Sequence, residues 1–462
     1  MNTSLRRRWF VGLSLLPGIT LLGIVLWTAG TRRGPALSLL VITLDTTRAD
    51  RLAPYGLMDV SMPSLSRLAR EGIVFDQAIT VSPLTLPAHC SLFTGLRPPG
   101  HGVRDNADPP LGTAHTTLAE VLRAQGFRTA AFVASTVLDR ERGLAQGFET
   151  YSGVPLEGAR VGGVHQRRAP DVVDETARWL ESVGGSRFFA WAHLYDPHRP
   201  YDPPEPFQSA TPDAYIGEVA FADSQIGRLL AALEAQKLLD RTIVAVVADH
   251  GESLGEHGES DHGIFLYEGV LRVPLMIRVP GGPTGRVPEV VRLTDVMPTV
   301  LELAGVTAPP VDGVSLVDLM TGRRRGLDLE AYAESLYPRR FGWSALYALR
   351  DSRYKFIDAP KPELYDLVRD PFEERNIIEE RAGVAAAMKQ RLASLTTNGG
   401  ADVAAESVEA SAETRERLAA LGYIATARAR VPSTGALPDP KDCLPRTGSP
   451  FAGIHSCRGT SK

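Results

Sequence analysis

The chain has 462 residues, 44% of them hydrophobic and 23% charged. That is ordinary globular composition, enough for one large α/β domain with a smaller partner or for two to three average domains. The formal net charge of -4, with no Lys/Arg run beside interleaved aromatics, argues against a dedicated nucleic-acid binder.

At the N-terminus, Arg6, Arg7 and Arg8 precede an apolar stretch over residues 9–29, which Arg32 and Arg33 follow. This stretch is long enough to span a bilayer and longer than a usual signal-peptide core. The upstream arginines put residues 1–8 in the cytoplasm and everything after 29 outside it, in the periplasm or the extracellular space. Arg7-Arg8-Trp9-Phe10-Val11 also resembles a twin-arginine export signal. There is no clear small-x-small cleavage site, so an uncleaved anchor is preferred over a cleaved signal that would release a secreted protein.

From residue 37, short apolar runs alternate with amphipathic stretches. The pattern predicts strands at 38–44, 127–134, 188–194, 242–247 and 273–279. It predicts helices at 63–72, 87–96, 116–126, 172–183, 215–236 and 294–304. Such alternation implies an α/β fold, with a large, mixed, mainly parallel sheet sandwiched by helices over residues 37–330. Ligands of such sheets bind at the carboxyl ends of the strands, where Asp45, Asp196 and Asp249-His250 stand. Residues 331–424 read as a small C-terminal α/β subdomain, with a hairpin-like pair at 346–350 and 354–357 and a helix near 383–395. Residues 425–462, rich in Pro, Gly, Ser and Thr, read as a disordered tail. Of the three cysteines, Cys443 and Cys457 flank part of this tail; they either pair in an oxidising compartment or stay free thiols.

Four segments carry chemistry. Asp45 ends a buried apolar strand, where a carboxylate either caps the turn or binds a hard cation. Thr85, in Thr85-Leu86-Pro87-Ala88-His89, lies just before a helix, where a hydroxyl either caps the helix or sits in an anion-binding position, ready for activation by a metal. Asp249-His250-Gly251 ends another strand, and both side chains can reach one metal. His198, in a proline-stiffened loop, stands at the rim of a site or on the surface. Asn106 either hydrogen-bonds a substrate oxygen or serves a turn.

Taken together and in order, these segments resemble the sulfatase family of the alkaline-phosphatase superfamily. Residues 85–95, Thr-Leu-Pro-Ala-His-Cys-Ser-Leu-Phe-Thr-Gly, are similar to the sulfatase signature. Asp45 and Asp249-His250 match the family's metal-binding residues, and Asp196-Pro197-His198-Arg199-Pro200-Tyr201 resembles its substrate-histidine loop. Leu271-Arg272-Val273-Pro274, Thr294-Asp295-Val296-Met297-Pro298-Thr299 and Glu363-Leu364-Tyr365-Asp366 look like later landmarks, so the likeness covers roughly residues 38–380. It implies that Pro298 sits in the first turn of the helix predicted from 294. The departures are specific. Thr85 holds the position of the formylglycine precursor, and threonine does not become an aldehyde, so no formylglycine is expected. His89 replaces an arginine that steadies the aldehyde hydrate. Thr46 replaces a second aspartate, and His262 lies where sulfatases often place a lysine.

The resemblance implies one divalent metal ion (Ca, Mn, Zn or Mg) on Asp45, Thr85, Asp249 and His250. Asp196-x-His198 lacks the Asp-x-x-x-His spacing of two-zinc relatives. It also implies Thr85 as a covalent nucleophile and His198 or His262 acting on the leaving oxygen, with Asn106 and His89 facing the substrate. The substrate is a small-molecule, glycan or lipid ester of sulfate, phosphate or phosphonate. A phosphoester is favoured because a sulfated threonine has no easy exit, whereas a phosphorylated one is relieved by attack at phosphorus. Two alternatives remain: a phospho-headgroup transferase acting on lipid or glycan, and an inactive binding protein.

Overall fold

The computed structural model describes residues 37–154, 160–161, 164–397 and 437–444. The expected anchor at 9–29 and most of the tail lie outside the described residues.

The strands in chain order are β1 (Ser38–Leu44), β2 (Ile73–Ile79), β3 (Arg128–Phe132), β4 (Thr150–Ser152), β5 (Arg160–Val161), β6 (Val164–His165), β7 (Phe188–Leu194), β8 (Thr242–Ala248), β9 (Arg272–Arg278), β10 (Gly285–Arg292), β11 (Ala331–Ser335), β12 (Leu346–Arg350), β13 (Tyr354–Asp358) and β14 (Glu363–Asp366). Eight form the main sheet in the order β10-β2-β9-β8-β1-β7-β3-β4. Every neighbouring pair is parallel except the two that involve β9. The mainly parallel expectation therefore holds, with one strand reversed.

β1, β7 and β8 are buried along their whole length. A strand covered on both faces has no reason to alternate, which is why Leu-Leu-Val-Ile-Thr-Leu and Ile-Val-Ala-Val-Val-Ala read as continuous apolar runs. Helix Ala169–Ser182 packs on β7 and against the long helix Ala214–Ala235, whose N-cap Asp213 accepts from the Tyr215 and Ile216 amides. The helix expected from 294 begins as a 3₁₀ turn, Leu293–Asp295, and continues as Val296–Leu303 with Pro298 in its first α-turn.

β11–β14 make a four-stranded antiparallel sheet, wider than the single hairpin expected. Helix Ala382–Thr397 packs on it through Ala385, Met388 and Leu392, against Leu349, Phe356 and Leu364. One buried cluster ties this sheet to the main one. Arg104 Nε donates to Glu334 Oε1 at 2.7 Å, the Tyr332 hydroxyl donates to the same carboxylate, and the Glu334 amide donates to Val81 O. Glu334 is fully buried, whereas the Arg104 side chain is 28% exposed. Arg104→Met therefore strands a buried carboxylate and is expected to cost about 2–3 kcal/mol, somewhat below the ~3–5 kcal/mol of a fully buried pair. Denaturant titration of the two proteins checks this.

Residues 437–444 lie on the C-terminal sheet. Asp439 caps the short helix Pro440–Cys443 and accepts from the Lys361 amide, and the Ser344 amide donates to Pro438 O. Cys443 is disulfide-bonded; Cys457 lies outside the described residues.

Candidate active site

Strand register builds the centre. Leu44 pairs with Leu194 of β7 and with Ala248 of β8, so Asp45 and Asp249 leave adjacent strands at one level. Both are fully buried. Neither oxygen of Asp45 has a hydrogen-bond partner, nor does Asp249 Oδ2. Asp249 Oδ1 accepts from its neighbour His250 N at 2.7 Å and from Thr46 N at 3.3 Å. Thr46 adopts a left-handed φ of 48°, costly for a β-branched residue. The Tyr215 hydroxyl holds it there, donating to Thr46 O at 2.8 Å and accepting from Arg48 N at 2.9 Å.

The expected helix starts at Thr85 rather than at 87, so Thr85 is its first residue and not the one before it. All ten residues of Thr85–Thr94 are buried. Asn106 Oδ1 accepts from Leu86 N at 2.8 Å, and Asn106 Nδ2 is buried without a partner. Asn106 thus fixes the start of this helix and leaves its Nδ2 group unpaired. Thr85 Oγ1 lies 3.3 Å from His250 Nε2. One turn on, His89 Nδ1 donates to Thr85 O at 2.8 Å and stands 3.6 Å from Asp249 Oδ2.

The other imidazoles are oriented through Nδ1. In His250 it donates to Gly251 O at 2.9 Å, and in His198 to Arg199 O at 2.6 Å. A carbonyl only accepts, so each Nε2 carries the lone pair. His198 stacks on Tyr195 and faces the His262 ring at 5.1 Å. His262 Nδ1 lies 3.0 Å from both Glu252 and Asp261, and the Tyr201 hydroxyl donates to Glu252 at 2.9 Å. Burial opposes a charge on His262, but Glu252 and Asp261 outweigh it and hold the ring well above the usual histidine range. Burial pushes His193 and His198 down to about 3 and His250 and His89 well below their ordinary value. It also pushes Asp45 up to about 7, and Asp249 well up, the latter raised further by the Asp45 charge.

Every expected site residue except His198 is therefore buried at one centre, and His198 sits half-buried at its edge. Asp196, the third strand-end carboxylate, turns away to Arg168 Nε at 2.8 Å and Ala169 N at 2.6 Å. The residues missed are His193, Glu252, Asp261 and Tyr201. His193 was legible in principle, as the one titratable residue in the apolar run of β7. The other three act through loop geometry. In that loop a Cβ on Gly251 would stand 2.1 Å from Gly269 O, so only glycine allows the backbone approach that carries Glu252 inward.

The donor set fits a divalent cation. Ligand atoms of Asp45, Asp249 and His250 lie within 4.8 Å of one another, the unpartnered carboxylate oxygens need a positive group, and neither Lys nor Arg is among those acting on them. A cavity of about 850 Å³, with Arg48, Glu256, His257, Tyr267 and Phe372 among its lining, contains none of these side chains.

Comparison with known proteins accords with this geometry. A family model described as Sulfatase matches residues 38–306, and one described as N-sulphoglucosamine sulphohydrolase, C-terminal, matches 255–398. An arylsulfatase of Clostridium perfringens is 25% identical over 437 residues, covering 74% of this chain and 90% of the relative. A choline-sulfatase of Rhizobium meliloti is 28% identical over 436 residues, covering 75% and 83%. The phosphonate monoester hydrolase of Agrobacterium radiobacter shares the fold, with TM-score 0.68, 23% identity and coverage of 78% of this chain and 95% of that one. Because the first match spans more than half of the chain and takes in Asp45, Thr85, Asp249 and His250, the chain belongs to the sulfatase family and is a sulfatase-family hydrolase.

Proposed function

We propose that the chain hydrolyses a phosphate or phosphonate ester with Thr85 as its covalent nucleophile. The observation that carries this reading is the side chain at the start of the buried helix: a threonine hydroxyl 3.3 Å from His250 Nε2, where the family resemblance calls for an aldehyde precursor. Asp45, Asp249, His250 and Thr85 would hold a divalent cation, which favours the alkoxide of Thr85 and offsets charge on a substrate oxygen. The Thr85 hydroxyl gives up its proton to solvent, Oγ1 forms a bond to phosphorus, and the bond from phosphorus to the ester oxygen breaks. His262, charged and with Nε2 free of other partners, supplies a proton or a hydrogen bond to that oxygen. Water then attacks phosphorus and returns a proton to His262 as the Oγ1–phosphorus bond breaks, and the His198 Nε2 lone pair is suited to accept a hydrogen bond from that water. Asn106 Nδ2 is suited to hold a non-bridging oxygen.

A sulfate ester is the second reading, favoured by the names of the relatives. Initial rates on aryl sulfate, phosphate monoester, phosphate diester and phosphonate substrates separate the two. Phosphoester or phosphonate turnover with acid-stable phosphothreonine at position 85 supports the first. Sulfate turnover at the highest kcat/KM of the panel would sink it.

Glu252 orients His262 and keeps it charged, so Glu252→Gln is expected to lower kcat/KM by about 10–100-fold, read from the same assay. We also place the catalytic domain outside the cytoplasm on an uncleaved anchor at 9–29. The apolar segment with its upstream arginines supports this, as does the disulfide at Cys443, which suits an oxidising compartment. No helix among the described residues is long and apolar enough to cross a membrane. Retention in the membrane pellet after a carbonate wash, with protease sensitivity from outside, is the expected behaviour.

A further inference from the structure

Two of the buried histidines at this centre, His89 and His193, have no part in the reaction just described. His89 Nε2 and His193 Nε2 are fully enclosed and lack any hydrogen-bond partner. The carboxylates stand between two sets of imidazoles. Asp45 Oδ1 is 3.9 Å from His250 Nε2, whereas Asp45 Oδ2 is 3.4 Å from His193 Nε2. Asp249 Oδ2 lies 3.6 Å from His250 Nε2 on one side and 3.6 Å from the His89 ring, at Nδ1, on the other. Ligand atoms of His89, His193 and Asp249 all lie within 4.8 Å of one another.

We infer that His89, His193 and Asp249, together with Asp45 Oδ2, form a second divalent-cation site beside the one on Asp45, Thr85, Asp249 and His250. The inference rests on that first site and goes beyond it. Without a cation, the His89 lone pair is buried and unused: Nδ1 donates to Thr85 O at 2.8 Å, which fixes the lone pair on Nε2, the tautomer a metal ligand needs. His193 differs. Ala134 N–H approaches its Nδ1 at 3.4 Å, the outer limit of hydrogen bonding, and that contact puts the proton on Nε2, toward Asp45. Loading moves this proton to Nδ1 and gives up the weak contact, so the second site fills after the first and less tightly. The two nitrogens come from a helix and a strand far apart in sequence, so no short spacing motif announces them. Imidazole with carboxylate suits zinc or manganese.

The test uses the full-length chain, stripped with chelator and then titrated with Zn²⁺ and, separately, with Mn²⁺. Metal per chain is measured by mass spectrometry of the dialysed protein, and the Mn²⁺ form by electron paramagnetic resonance. The expected result is two Zn²⁺ per chain and an exchange-coupled Mn²⁺ pair, falling to one ion and an uncoupled six-line spectrum in His193→Gln and in His89→Gln. Wild-type stoichiometry decides the matter even if a variant fails to fold. A single ion in the wild-type chain, with the uncoupled spectrum, overturns the inference and leaves the proposed function standing. No bound ion overturns both.

Discussion

Replacing Thr85 by alanine is expected to lower kcat by at least about 10⁴-fold, because the proposed covalent mechanism then loses its nucleophile. Thr85 is 1% exposed at the start of a helix whose ten residues are all buried. Cys90, on the same helix, is fully buried, and burial drives its thiol far up in pKa, which leaves it inert. Thr85→Ser keeps the hydroxyl and loses one methyl group. It is expected to retain turnover and to trap the same covalent adduct, visible as phosphoserine by mass spectrometry of acid-quenched enzyme. If Thr85→Ala turns over within tenfold of the wild type, the hydroxyl is not the nucleophile and water attacks the ester directly.

Metal removal should have the second large effect. At a free-metal concentration a thousand times its Kd, a cation that binds only the folded chain stabilises it by about 4 kcal/mol, and chelation should remove both this and the activity. Asp45→Asn should reverse the order of stabilities. With metal, the wild type melts higher. Without metal, the variant melts higher, because two carboxylates buried side by side without a positive partner oppose folding. Thermal melts of both proteins with and without chelator measure the crossing. Identical melts for the wild type in the two conditions would show that no cation stabilises the fold.

Much of this centre could be read from the chain because its carboxylates sit at interruptions. Asp45 and Asp249 are the first charges after fully buried strands, and a charge there demands a partner. Thr85 and His198 stood out only through their place in an ordered family pattern, since each alone is an ordinary cap or loop residue. His193 escaped notice because a strand buried on both faces gives no periodic signal of what a side chain meets. Glu252 and Asp261 matter through a backbone turn that Gly251 permits, and a turn of that kind leaves no spacing signature. In the fold, the apolar runs gave the central strands, but direction is not encoded in a run, and β9 reads like its parallel neighbours. β2 was missed because Asp76 and Gln77 interrupt it at the point where its pairing with β9 and β10 shifts register.

The same register has a consequence for how the molecule comes into being. Thr46 meets Asp249 across 203 positions, and Thr43 meets Trp191 across 148. β1 is made early and then waits, with both edges open, for partners still to be synthesised. Contacts this distant make for slow folding, and an open apolar strand is a target for misassembly in the interval. The chain is therefore expected to depend on a holding chaperone until β8 is complete. A product truncated before Thr242 would lose both β8 from the sheet centre and the Asp249-His250 pair that follows it.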